Sequence, residues 1–92
     1  MERRELKFHG RVQGVGFRYT AVQTSANFAV TGWVKNLPDL TVQMVVEGEP
    51  GEVDRFLAEL ERQILRGYGK VRESELVESG PATGDFVEFS VR

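Results

Sequence analysis

No cysteine occurs anywhere in the chain, which excludes disulfide support and any thiolate metal site. No run approaches the roughly 20 apolar residues of a membrane-spanning helix. The opening stretch MERRELKF also lacks the apolar core of a signal peptide, so a cytoplasmic setting is the expectation. Positive charge is not in excess. The formal net charge of −2 argues against broad, nonspecific nucleic-acid binding, which requires a basic surface. Histidine is nearly absent too: His9 stands alone, without Cys, Asp or Glu at ligand spacing, and is assigned no catalytic role. Glu47, Glu49 and Glu52 read as a solvated rim and a helix start rather than a metal site.

What remains is an ordinary globular composition, 40% hydrophobic and 28% charged, in a chain of 92 residues that suits one domain over 1–92. Leu6, Phe8, Gly10 and Val12 alternate with Glu5, Lys7, His9 and Arg11, the period of a half-buried strand. From Arg18 to Phe28 the period becomes helical, with Ala21, Val22, Ser25, Ala26 and Phe28 on one face made largely of small residues. VTGWVKN then reads as a strand with Trp33 on the face opposite Gly32, Val34 and Asn36. Leu37-Pro38-Asp39 is a turn, and TVQMVVEG is a third strand. A second helix starts at Pro50 and closes near Gly67, with Val53, Phe56, Leu57, Leu60 and Ile64 as its core stripe. Residues 71–78 and 86–91 read as two further strands around the turn-rich SGPATGD.

Two crossovers around a hairpin predict an α+β, ferredoxin-like split βαβ sandwich. Its sheet would have 4–5 strands, antiparallel or mixed, with two helices on one face. If the last strand lies beside the first and parallel to it, the terminal FSVR finishes near the loop that follows the first strand.

That loop, GRVQGVGFR over residues 10–18, carries three glycines, no acid, and a closing arginine. Glycines permit backbone angles that turn successive N–H groups into one concavity, and the following helix adds its positive end. Arg18 would add a planar guanidinium able to grip two phosphate oxygens. No Lys-Ser/Thr pair follows, so this is not a Walker loop, and the chain is too short for a dinucleotide fold.

Eighteen positions after Arg18 stands Asn36, in GWVKN. These two motifs at this interval, with the NLPD turn, VVEG and the final FSVR, make the chain resemble the acylphosphatase family over essentially its whole length. The resemblance implies a ferredoxin-like fold, hydrolysis of acyl phosphates, and no required cofactor or metal. It further implies that the loop of Gln13, Gly14, Val15, Gly16, Phe17 and Arg18 cradles phosphate. Arg18 would be the catalytic arginine, and Asn36 would orient the attacking water. The implied partners are a small-molecule acyl phosphate and inorganic phosphate as product, with no nucleic acid or membrane, in a monomer. One alternative is an acylphosphatase-like domain acting on carbamoyl phosphate, as at the start of larger hydrogenase-maturation proteins, whose zinc-finger cysteines this chain lacks. Another is a non-catalytic ferredoxin-like RNA-binding module, disfavoured because TVQMVVEG offers no aromatic for base stacking. Three positions depart from the family pattern: Ala29 and Leu40 stand where glycines are usual, and Ser74 where an apolar residue is usual. Ala29 predicts a different end to the first helix, and Leu40 an altered hairpin beyond Asn36.

Overall fold

The computed structural model describes residues 1–92. In chain order the elements are β1 (Glu2–Arg11), α1 (Phe17–Ser25), β2 (Val30–Asn36), β3 (Val42–Gly48), α2 (Pro50–Arg66), β4 (Lys70–Pro81) and β5 (Phe89–Val91). They form one sheet in the order β4-β1-β3-β2-β5. β1 pairs antiparallel with β3 and β4, and β2 pairs antiparallel with β3, so β1 and β2 run the same way.

β5 corrects the sequence-based expectation. It lies beside β2, parallel to it, and not beside β1, because β4 and β3 already occupy both edges of β1. The consequence for the loop survives, since β2 itself ends at Asn36 and carries β5 to the same end of the sheet. Gly32 pairs with Phe89 and Val34 with Val91.

Both helices cover the face that carries Leu6, Phe8, Val34, Val42, Met44 and Val46, the inward positions of the three central strands. α2 contributes Val53, Phe56, Leu60 and Ile64 at the helical period, all fully buried or nearly so. At roughly 1.5–3 kcal/mol for each large apolar side chain buried, this stripe is a main source of stability. α1 contributes the smaller Ala21, Thr24 and Ser25 together with Phe17, whose ring stands 5.1 Å from that of Phe8. The helix ends at Ser25 in ordinary right-handed geometry, with the Ala26 amide donating to Gln23 O and the Asn27 amide to Thr24 O. Ala29 therefore never needs the left-handed angle a glycine would supply.

Leu40 does take that angle, at φ 71°, the one non-glycine residue in the chain to do so. The hairpin thus keeps the backbone form that glycine would favour, at the strain of a side chain in the left-handed region. The Asp39 carboxylate supports it, accepting from the Thr41 amide at 3.1 Å and from the Thr41 hydroxyl.

The opposite sheet face is also partly covered. Residues 82–88 cross it, and Glu47, only 3% exposed, holds them down. Its carboxylate accepts from the Thr83 amide (2.9 Å), the Thr83 hydroxyl (2.8 Å) and the Gly84 amide (3.0 Å). Arg3 stands 3.6 Å away. Glu47 is therefore a structural anchor and no part of a solvated rim. Burial pushes its carboxyl up, but these donors together outweigh burial and bring it below the usual range. Arg92 stacks over Trp33 at 4.8 Å on the same face.

Candidate active site

β1 and β2 both end at one edge of the molecule, and the β1–α1 turn and the β2–β3 hairpin meet there. In the turn, Gly14 and Gly16 adopt φ 74° and 79°, and nothing lies within 4 Å of where a Cβ would sit on either. The glycines answer a backbone demand, not a crowded contact, and they leave the concave side open. Gly16 caps α1 with no side-chain hydrogen bond, and the helix has no acid in its first turn.

The result is a run of unpaired donors. The amides of Gly14, Val15, Gly16, Phe17, Arg18 and Tyr19 donate to no protein acceptor; the first α1 bond is Thr20 N–H to Gly16 O at 2.9 Å. Helix geometry requires this of the first turn. Clustered N–H groups at a positive helix end form an anion seat. Arg18 is exposed and engaged in no ion pair, so its guanidinium is free to meet a ligand.

Gly14, Gly16, Arg18 and Asn36 line a single cavity of about 430 Å³. Asn36 arrives there from the end of β2, and its side-chain oxygen Oδ1 is buried without a hydrogen-bond partner. A buried acceptor left unpaired is costly, by about 1–3 kcal/mol, and such atoms concentrate where function uses them. No carboxylate or imidazole lines this cavity.

The other loop residues named from the sequence have different duties. Phe17 also borders the cavity, but its ring is 2% exposed and belongs to the core. Val15 packs as a half-buried side chain toward Gly69. Gln13 points away from the seat: its Nε2 donates to Leu37 O at 2.8 Å and Thr41 O at 2.9 Å. It ties the glycine turn to the hairpin that follows Asn36. Lys7 braces the same hairpin, 2.8 Å from Asp39. The Lys7 ammonium, with the Thr41 hydroxyl and amide, holds the Asp39 carboxyl well below the usual carboxylate range.

Tyr19, Val22 and Val91 complete the cavity as an apolar wall, and sequence inspection did not single them out as site residues. For Tyr19 and Val22 a signal existed, because they lie one and four residues beyond Arg18 on the first turns of α1. Val91 had none, since its presence depends on β5 lying beside β2.

The sequence matches the Acylphosphatase family over residues 4–91. An acylphosphatase of Clostridium acetobutylicum is 47% identical over 85 residues, covering 92% of this chain and 89% of the relative. One from Methylococcus capsulatus is 40% identical over 92 residues, covering 99% of this chain and 96% of the relative. The crystal structure of acylphosphatase from Bacillus subtilis superposes with a TM-score of 0.87 at 28% identity, covering 100% of this chain and 99% of that one.

Proposed function

The chain belongs to the acylphosphatase family and acts as a hydrolase of the carboxyl–phosphate anhydride; we propose that the turn from Gln13 to Arg18 holds the phosphate while Asn36 orients the attacking water. One observation carries this division of labour. Asn36 lines the same cavity as Arg18 and the glycine turn, and its Oδ1 is an acceptor with no partner in the protein.

The chemistry asks for little else. The leaving group is a carboxylate whose conjugate acid has a pKa of roughly 4, so it departs without a proton from the protein. Phosphoryl transfer then depends on an in-line water and on neutralising charge at the equatorial oxygens. The free amides and Arg18 supply the second, as preorganised donors in a partly enclosed site. Asn36 supplies the first, accepting a hydrogen bond from the water at Oδ1 without acting as a base. With no carboxylate or imidazole lining the cavity, the water's proton is assigned to a phosphate oxygen of the substrate. The wall of Tyr19, Val22 and Val91 faces the acyl portion. In this reading residues 1–92 act as one domain, monomeric and cytoplasmic, on a small acyl phosphate.

Phosphate release from benzoyl phosphate tests the assignment. Arg18→Ala is expected to lose about 2.7–4 kcal/mol of transition-state stabilisation, on the order of 10²- to 10³-fold. Asn36→Ala should lower kcat while leaving inhibition by inorganic phosphate unchanged. Near-normal turnover by Arg18→Ala would sink the reading. Loss of phosphate inhibition in Asn36→Ala would move Asn36 into the cradle. Activity that disappears with EDTA would contradict the metal-free scheme.

A further inference from the structure

A larger concavity, of about 680 Å³, lies beyond the other side of the Val15 turn, between the end of β1, the end of α2 and the start of β4. Its charged walls are Arg11, Lys70 and Arg72, and no carboxylate lines it. In a chain with more acids than bases, five of the twelve Lys and Arg residues are engaged in ion pairs with acids, and none of these three is among them.

Strand pairing makes this arrangement unfavourable on its own. Arg11 stands directly opposite Lys70 in the β1–β4 ladder, and like charges facing across strands are destabilising. A register shift between His9 and Gly10 brings the two backbones together, so that a Cβ on Gly10 would lie 2.4 Å from Lys70 O and 2.7 Å from Arg72 N. Bulges of this kind re-aim neighbouring side chains. The carbonyls of Gln63 and Ile64 at the end of α2 are taken up by the amides of Gly67 and Gly69. They therefore offset little of the positive charge.

Beside the cations stand two uncovered apolar side chains, Tyr68 at 84% exposure and Leu65 at 65%. A ligand suited to this groove carries several negative charges at one end and a flat apolar ring at the other. Its volume also falls within the ~300–1,000 Å³ of small-molecule sites.

The geometry points to a second ligand site here, one that binds a nucleoside di- or triphosphate. Arg11, Lys70 and Arg72 take the phosphate chain and Tyr68 stacks on the base. This site is separate from the Arg18 seat and does not depend on the mechanism assigned to it.

Titration calorimetry with ATP, ADP and inorganic triphosphate tests the inference, in buffer containing EDTA and no phosphate, on the wild type and on Arg18→Ala, which takes the guanidinium from the other seat. Saturable ATP binding is expected. It should weaken at least tenfold in the double variant Arg11→Gln/Arg72→Gln, whose benzoyl phosphate turnover and phosphate inhibition stay unchanged and so report an intact fold. Tyr68→Ala should weaken ATP several-fold and leave inorganic triphosphate unaffected. Three results would each overturn the site. They are no saturable binding at millimolar ATP, binding indifferent to Arg11 and Arg72, or binding abolished by Arg18→Ala alone. Tyr68→Ala without effect on ATP would overturn the nucleoside assignment.

Discussion

Gln13→Leu is the most informative perturbation of the site, because it leaves the glycine turn's backbone intact and removes only the tether to the hairpin. The wild-type amide makes two hydrogen bonds, to Leu37 O at 2.8 Å and Thr41 O at 2.9 Å. Each such bond contributes about 0.5–1.5 kcal/mol net. Neither carbonyl is orphaned by the change, since Leu37 O still accepts from Leu40 N–H and Thr41 O from Leu37 N–H. The desolvation penalty of an unpaired buried acceptor therefore does not apply in full. The expected loss is about 1–2 kcal/mol, readable as a lower urea midpoint at unchanged slope. Asn36 immediately precedes the tethered hairpin, so the same variant loosens the group proposed to aim the water. Misplacement by about 1 Å can cost up to 10²-fold in rate, and kcat should fall roughly 10- to 100-fold. The inhibition constant of inorganic phosphate should not move, because the seat's amides and Arg18 are untouched. Wild-type stability and kcat would refute the tether. A parallel loss of phosphate inhibition would show instead that the Gln13 side chain serves the seat itself.

Leu40→Gly should raise stability by roughly 0.5–1 kcal/mol: release of left-handed strain, about 1–2 kcal/mol, exceeds glycine's added unfolded-state entropy, and the exposed Leu40 side chain gives up little packing. A lower urea midpoint would show that the left-handed angle carries no strain here. Asp39 is depressed in the folded protein, so its contribution is present above the unfolded carboxyl value of about 4 and is lost as pH falls through the lower folded value. Asp39→Asn should accordingly flatten the acid limb of the stability curve below about pH 4, and an unchanged limb would remove Asp39 from acid denaturation. Glu47→Gln should cost about 3 kcal/mol, the order of two charge-assisted bonds, measured by urea unfolding. Loss of protection at the Thr83 and Gly84 amides in hydrogen exchange should accompany it.

Local pattern alone was enough to place β1 to β4, both helices and the core stripe of α2, and to single out the turn from Gln13 to Arg18 as a candidate anion seat; the last strand, read over 86–91, forms only over Phe89–Val91. Those features follow from periods of two and 3.6 residues and from the backbone freedom of glycine, which act over a few neighbours. Asn36 was reachable as a candidate only through its interval from Arg18 in a family resemblance, because nothing in GWVKN by itself distinguishes the proposed water-orienting amide from a strand end. Periodicity says which face a residue takes but not which strand will lie beside it. For that reason β5 was expected beside β1, whereas the vacant edge of β2 claimed it and brought Val91 to the cavity. The same limit hid the partners of Glu47 and Gln13. Glu47 meets Thr83 across 36 positions of sequence and Gln13 meets Leu37 across 24, and such long-range encounters exist only once the sheet has assembled. Sequence thus determined what each segment could do, and tertiary structure decided which segments stand close enough to do it together.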